Sequence, residues 1–519
     1  MLSLEKKEIQ HQPQNKIWFW LSWALLALVV LWYFLSLVHP LHAINQDLGR
    51  FIALTREIFD TWHIPSVNTF SYTYPNFEFV NSHWLGGVLL TGLVGLFGFS
   101  GLVIVKSLII LTAVALAIYL SYKRITFDGE SRLVLLVLFT IPTIIIALER
   151  THARPEIFSH FLFVVIFALL LGTRRGWRWL IPVLMLIWVN IHIYFILGFL
   201  LIGAFIIESI IREKWSRNTR NLIIIGISSV GATLLNTAGL QGLLYPLQVF
   251  KNYGYTIVEN QTPFFLIPFN YHHGTIATIF VMVIVLIVSF IVNWKRIRVS
   301  DVIIGIGLIF LSLTAIRHAF IFAVGILPIL SYNISSALSR IPRGWFEEHD
   351  INILMLRRSM VALGLCVFVI LGSIRANAMS IAVPEYVGGA VDFVIENKID
   401  GNMFNNFDIG GYLIYRLYPE RRIFVDNRPE AYPAEFFEQV YKPMQENPNV
   451  WRAMVQRYNI EYVIFGSTDQ TPWGQNFMRM IMTLEEWTAV YVDETSLVLL
   501  RSDVARFQNI IEKYGFNTN

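Results

Sequence analysis

Residues 17–38 read IWFWLSWALLALVVLWYFLSLV, twenty-two positions without a charge. A bilayer core needs about 20 apolar residues per helix, so this run is long enough to cross one. Comparable runs follow near 101–121, 132–148, 157–172, 178–190, 195–211, 221–238, 275–293, 301–316, 319–338 and 359–376. The chain is 55% hydrophobic and 15% charged, with a mean hydropathy of +0.55. These features predict a polytopic α-helical membrane protein with about eleven transmembrane helices. A net charge of +4, scattered along the chain, argues against a nucleic-acid partner. The single cysteine, Cys366, lies inside an apolar run and reads as a small packing residue, so no disulfide or thiolate metal site is expected. The polar start MLSLEKKEIQHQPQNK ahead of the first run reads as the flank of a retained signal anchor.

Basic residues set the expected orientation, because Lys and Arg in short loops prefer the cytoplasm. With the N-terminus inside and the glycine-rich stretch 84–99 not spanning, one side holds Lys6, Lys7, Lys16, Lys123, Arg124, Arg132, Arg174, Arg175, Arg178, Arg212, Lys214, Arg217, Arg220, Lys295, Arg296, Arg298, Arg340, Arg343, Arg357 and Arg358. The other side holds only Arg50, Arg56, Arg150, Arg154, Lys251 and Arg317 before the last span. This asymmetry predicts a multi-pass protein of the cell inner or plasma membrane, with a cytoplasmic N-terminus and an extracytoplasmic tail. The long and unusual loops then share the outer side: 39–83 within a large first loop 39–100, ERTHARPE (149–156), NIHIY (190–194), 239–274 and RH (317–318).

From about 379 the composition becomes that of a small α/β domain, extending to 519, after a transmembrane domain over 1–378. RRIFVD (421–426), IEYVIFG (460–466), WTAVYVD (487–493) and SLVLLR (496–501) read as strands. Residues 433–445, 447–459 and 503–515 read as helices, the last two with Asn and Asp caps. Asp426 ends a predicted strand before Asn427 and Arg428, a place where α/β sites sit and where plain turn chemistry is equally at home.

The stretch INQDLGRFIALTREIFDTW (44–62) puts Asp47, Arg50, Arg56, Glu57 and Asp60 beside a predicted membrane surface. One reading is an amphipathic surface helix whose Leu48, Phe51, Ile52, Ile58, Phe59 and Trp62 face lipid or the bundle. In the other, Asp47 is a general base and the arginines bind an anionic headgroup. Glu259 is the only acid in loop 239–274, among Tyr253, Tyr255, Phe264, Phe265 and Tyr271, and is the second candidate acid. Arg50, Arg56, Arg150, Arg154 and Arg317 are candidate phosphate ligands, since guanidinium matches phosphate with paired hydrogen bonds. His83, His152, His192 and His318 fall at predicted outer span ends. With Glu57, Glu149 or Glu259 they form a candidate set for a divalent metal, though no pair shows ligand spacing on one helix and no metal ligand is assigned.

The texts QDLGRFIALTREIF, FSYTYPNFEFVNSHWLGG, WVNIHIYFILG and FNNFDIGGYLIYRLYPERRIFVDNR resemble bacterial membrane proteins grouped in the GT-C superfamily of glycosyltransferases. That group includes protein O-mannosyltransferases and the aminoarabinose transferase acting on lipid A. The resemblance implies a polyprenyl-phosphate-linked sugar donor, a glycan, lipid or protein acceptor, and Asp47 as base. Glu57, His83, His192 and His318 join the arginines as candidate substrate-binding residues. Relatives often carry two adjacent acids at this place, and here the neighbour is Gln46. The competing readings are a lipid-linked oligosaccharide polymerase or ligase, a lipid or sugar transporter, and an inactive scaffold. A transporter predicts internal repeats or broken spans, yet little beyond Lys106 and Asn236 interrupts these runs.

Overall fold

A computed structural model describes residues 16–45, 47–127, 129–248, 252–341, 353–374 and 379–516. Lys6, Lys7, Gln46, Lys251 and Arg343 lie outside the described residues, as does most of the N-terminal flank. The apolar runs become α1 (Lys16–Leu37), α3 (Trp84–Arg124), α4 (Glu130–Ala147), α5 (Glu156–Leu171), α6 (Ile181–Ile191), α7 (Ile196–Glu213), α8 (Arg217–Thr233), α9 (His273–Val292), α10 (Val299–Thr314), α11 (Ala319–Leu338) and α12 (Ile353–Ile374). The charged stretch forms α2 (Asp47–Thr61). All eleven predicted runs are thus helical, but eleven crossings are not established. Among the described residues six helices, namely α1, α3, α4, α7, α9 and α11, are long and apolar enough to cross a bilayer. Helices α5, α10 and the apolar part of α12 are shorter.

Burial ranks the helices. Sixteen of the twenty residues of α11 are buried, so it runs through the centre of the bundle. Helix α9 leaves Val281, Ile284, Ile287, Val288 and Ile291 exposed, an apolar stripe at helical spacing that suits lipid. Cys366 is exposed on α12 rather than packed inside, a correction to its reading as a core residue: its helix face looks away from the bundle.

The bundle has two unlike ends. At one, Arg124 grips Asp301 through both nitrogens (3.0 and 2.5 Å), Arg298 reaches Glu208, and Arg178 bonds Asn218. Asp47 lies at the other. The stretch 84–99 begins and ends at that Asp47 end. The Trp84 indole donates to Asn190 Oδ1 (2.9 Å), and Phe99 packs edge-on against Tyr415 of the C-terminal unit. A few residues on, Lys106 bonds the carbonyls of Leu37 and Thr151. Only the part from about 101 to 124 then runs to the basic end. Gly98 makes the break, with φ +71° and ψ 173°, a conformation that glycine adopts without a Cβ penalty.

The C-terminal unit holds a four-stranded sheet of order β1-β2-β4-β3, with β1 (Asn402–Asn405), β2 (Ile460–Gly466), β3 (Trp487–Val492) and β4 (Ser496–Arg501). The β1–β2 pair is parallel and the others antiparallel. Side chains alternate between two buried layers. Val463, Phe465, Leu497 and Leu499 join an aromatic layer with Phe404, Trp451 and Phe477, while Tyr462, Ile464, Val498 and Leu500 pack with the bundle-side cluster. Three expectations are corrected. Residues 421–426 form no sheet strand; Ile423 makes one parallel bridge to Ser71 of the first loop, so that loop takes the role expected of a strand neighbour. The strand β1 was not expected, because NMFN is short and half amide. Asp503 pairs with Arg501 (2.6 Å) and caps nothing, the last helix starting only at Gln508. The Asn447 cap forms as expected.

Helix α2 lies on helix α14 (Gly410–Leu417), which follows α13 (Gly388–Glu396). A Cβ at Gly49 would sit 2.7 Å from the Gly411 carbonyl and 2.9 Å from Tyr415 Cβ. Glycine at 49 therefore sets how closely the C-terminal unit approaches the site helix.

Candidate active site

Asp47 is the first residue of α2, and three other segments converge on it. Its Oδ1 accepts from Arg50, one turn on (3.0 Å), and from the Asn427 amide (2.8 Å). Its Oδ2 lies 3.0 Å from Arg154 Nε. Arg154 belongs to the connection between α4 and α5, directly before Pro155, which opens α5. The same guanidinium donates through Nη1 to Glu259, at 2.9 and 2.7 Å. Arg154 thus bridges the two acids expected from the sequence. Arg150 bonds Glu259 (2.5 Å) and forks onto Glu156 (2.8 and 2.7 Å).

Glu259 sits in a helical turn, Val258–Asn260, tied to the turn before α11 by an Ile316 N–H to Gln261 carbonyl bond (3.0 Å). That brings in Arg317, which donates to Asn260 Oδ1 (2.8 Å) and lies 5.9 Å from the Tyr194 ring. The Tyr194 hydroxyl meets His318 Nδ1 (3.0 Å), and the Tyr194 N–H donates to His192 Nδ1 (3.3 Å). His83 and His192 face each other with ring centres 4.8 Å apart.

The cluster is only partly covered. The side chains of Asp47, Glu259 and Arg154 are 19, 24 and 16% exposed. Arg50 Nε and Arg317 Nε are buried and have no hydrogen-bond partner among the described residues. Unused guanidinium donors beside a partly open cluster are groups that an anion would satisfy.

The arginines govern ionisation. Burial would raise the Asp47 carboxyl, but Arg154 and then Arg50 outweigh it and hold it below the usual range. Glu259 is pushed up by burial too and pulled well below its ordinary value by Arg150, Arg154 and Arg317. His83 is held down to about 3, first by burial and then by Arg50 and Arg317. His152 falls to about 3 for the same kind of reason, with Arg154 the leading charge. At neutral pH both acids are ionised and these imidazoles are neutral, so positive charge here is carried by arginine.

Arg56 and Glu57 are not brought to this cluster. Arg56 is nine positions beyond Asp47, which places it half a turn round the helix. It is exposed, and it lines a shallow cavity of about 190 Å³ with Glu57, Asp60, Tyr418 and Pro419. Glu57 accepts from Thr69 there (3.0 Å). Glu149 is engaged by Tyr271 and His272 (3.0 and 2.8 Å). Among the described residues no three His, Cys, Asp or Glu side chains gather as a metal-sized set.

Sequence reasoning missed Asn427 as an Asp47 partner, Asn260 as an Arg317 partner and Tyr194 as the link between His192 and His318. The only available signal for the first was DNR (426–428) at the end of an apolar segment, which marks a loop without naming its target.

No protein-family model matches the sequence, and no curated protein matches it in sequence. Solved structures do match in fold. The archaeal oligosaccharyltransferase AglB from Archaeoglobus fulgidus, solved with an inhibitory peptide and a dolichol-phosphate, matches with a TM-score of 0.60 at 12% identity, over 93% of this chain and 74% of that one. ArnT from Cupriavidus metallidurans matches with a TM-score of 0.52 at 14% identity, over 92% of this chain and 97% of that one. The chain has the fold these two proteins share, the GT-C fold that its own sequence resembles.

Proposed function

We propose that the chain is an integral-membrane glycosyltransferase that moves a sugar from a polyprenyl-phosphate donor to a hydroxylated acceptor, with Asp47 as general base. The observation that carries this reading is Arg154 bridging Asp47 and Glu259 among three further arginines, in a GT-C fold. Such a site offers a carboxylate to take a proton and guanidinium groups to hold a phosphate. The Asp47 end is then extracytoplasmic, and the end with the many short basic loops cytoplasmic.

In the reaction the acceptor oxygen attacks the anomeric carbon, and its proton passes to Asp47. The bond from that carbon to the phosphate oxygen breaks, and polyprenyl phosphate leaves with the electron pair. Proton removal of this kind contributes roughly 10²–10⁴-fold. Arg50, Arg154 and Arg317, with Arg150 behind them, are the cations that would spread the charge of the leaving phosphate over N–H donors. Donor and carboxylates compete for Arg154. When the phosphate takes it, Asp47 loses a cation and becomes the stronger base. A related reading, transfer of a lipid-linked oligosaccharide, draws on the likeness to AglB.

The test is turnover of an undecaprenyl-phosphate-linked sugar by the full chain in proteoliposomes. Asp47→Asn keeps the size of the side chain but removes the charge that Arg50 and Arg154 hold, so the variant should stay folded with a modestly lower melting temperature while turnover falls by at least about 10²-fold. Turnover that survives this change in a folded protein removes Asp47 from the chemistry.

A further inference from the structure

Asn427 stands 380 residues after Asp47 and belongs to the C-terminal unit, yet it donates to Asp47 Oδ1 at 2.8 Å. An ionised carboxylate only accepts, so the NH₂ group must face Asp47 and the amide carbonyl must point elsewhere. That carbonyl, Asn427 Oδ1, is buried and has no hydrogen-bond partner among the described residues. A buried acceptor left unused beside a candidate base is an opening for a donor from a ligand.

The loop that carries Asn427 is fixed from behind. Arg428 forks onto Asp426 (2.8 and 2.7 Å) and donates to Asn68 Oδ1 (2.8 Å). Its guanidinium lies 5.0 Å from the rings of both Phe70 and Phe79. The Asn68 amide donates to the Ala431 carbonyl (3.1 Å), and Ser71 and Thr73 both donate to the Phe424 carbonyl (2.9 Å each). The Tyr432 hydroxyl donates to Asp426 (3.1 Å) and accepts from the Asp426 N–H (3.0 Å). Gly410 lets the backbone at Val425 and Asp426 come close, since a Cβ there would lie 2.5 Å from the Val425 carbonyl. The first loop and the C-terminal unit thus form one clamp around residue 427.

We propose that Asn427 is a positioning residue, supplied by the C-terminal unit, that aims the Asp47 carboxylate and offers its carbonyl to a second hydroxyl of a polyhydroxylated substrate. The substrate hydroxyl that loses its proton meets Asp47, and a neighbouring hydroxyl donates to Asn427 Oδ1. The catalytic half of this statement rests on the glycosyltransferase reading; the contact to Asp47 does not.

Asp47 is also faced by Arg50 on its own helix, by Arg154 from the α4–α5 connection, by Glu259 beyond that arginine, and by His83 more remotely. The test keeps all of these and changes only residue 427. In the full chain in lipid nanodiscs, carboxyl labelling by a carbodiimide with glycine ethyl ester, read by mass spectrometry across pH, gives the midpoint for Asp47. Asn427→Ala removes a donor to the ionised form and should raise that midpoint by about one unit. Asn427→Asp, nearly the same shape, sets a second carboxylate there and should raise it further; it also serves if the alanine variant fails to fold. A midpoint unchanged in a folded variant overturns the proposal. Turnover of undecaprenyl-phosphate-linked sugar separates the two readings. If the midpoint moves but Asp47→Asn stays active, the contact stands and the base assignment falls. If the midpoint is fixed and Asp47→Asn is dead, the base stands and Asn427 falls.

Discussion

Replacing Arg154 by Gln removes one cation from between two acids. The guanidinium lies 3.0 Å from Asp47 and 2.7 Å from Glu259. A unit pair about 4 Å apart near a protein surface interacts by about 4 kcal/mol at an effective dielectric of 20. Each acid keeps another arginine, Arg50 at 3.0 Å and Arg150 at 2.5 Å, so the loss is partial. An opposite charge within this range moves a carboxyl by 1–3 units. About one unit per acid, or about 1.4 kcal/mol each, is the expected change. The sign follows from both carboxyls lying below their ordinary range in the wild type. Their contribution to stability is fully present above about pH 4–5, the ordinary carboxylate range, and is lost as pH falls through the lowered values. In Arg154→Gln both carboxyls rise, so that window moves upward and part of the contribution disappears. The melting temperature of the detergent-solubilised variant should lie below wild type at pH 7, and the gap should narrow as pH falls toward 3. In turnover assays the acidic limb of kcat/KM should move up by about one unit. A melting gap that is the same at pH 7 and pH 3, or an acidic limb that does not move, would refute the bridging role of Arg154.

Two further outcomes are expected. Gly49→Val pushes a branched side chain against the Gly411 carbonyl and Tyr415. It should lower stability by about 1–3 kcal/mol in denaturant titrations, and an unchanged midpoint would mean α2 and α14 separate freely. Lys106→Met removes an amine that donates to Leu37 and Thr151 carbonyls (2.7 and 2.9 Å) and lies 3.1 Å from His39 Nε2. Ser107 still serves Leu37 and Thr151 Oγ1 still meets His39, so one carbonyl is orphaned, at a cost of about 1–3 kcal/mol. Because Thr151 shares its turn with Arg150 and Arg154, turnover should fall by more than the melting temperature suggests; equal losses would make Lys106 purely structural.

The helical runs were legible because lipid solubility demands apolar residues in helix-length blocks, whatever the neighbours. The stretch 84–99 was apolar enough to cross; only the places of Trp84, Phe99 and Lys106 show that it turns back at Gly98. At the site, Asp47, Arg154 and Glu259 stood out as charges where charge is expensive. Their mutual bridging was not legible, because it depends on three connections folding over one end of the bundle. Arg56 and Glu57 shared the same charged stretch as Asp47, yet helix phase turns them away. The segment 421–426 carried a strand's composition, but its pairing partner lies some 350 residues earlier (Ser71 with Ile423), which no local pattern reveals.

Stitching residues 68–73 to 423–432 also orders events during biosynthesis. The acid emerges from the ribosome early, whereas the amide that holds it arrives 380 residues later. Until residue 427 has been made and carried to the same face of the membrane, a nascent chain lacks one wall around Asp47. A chain that stopped between the last bundle helix and that point would keep all the bundle helices but lack the wall that completes its centre.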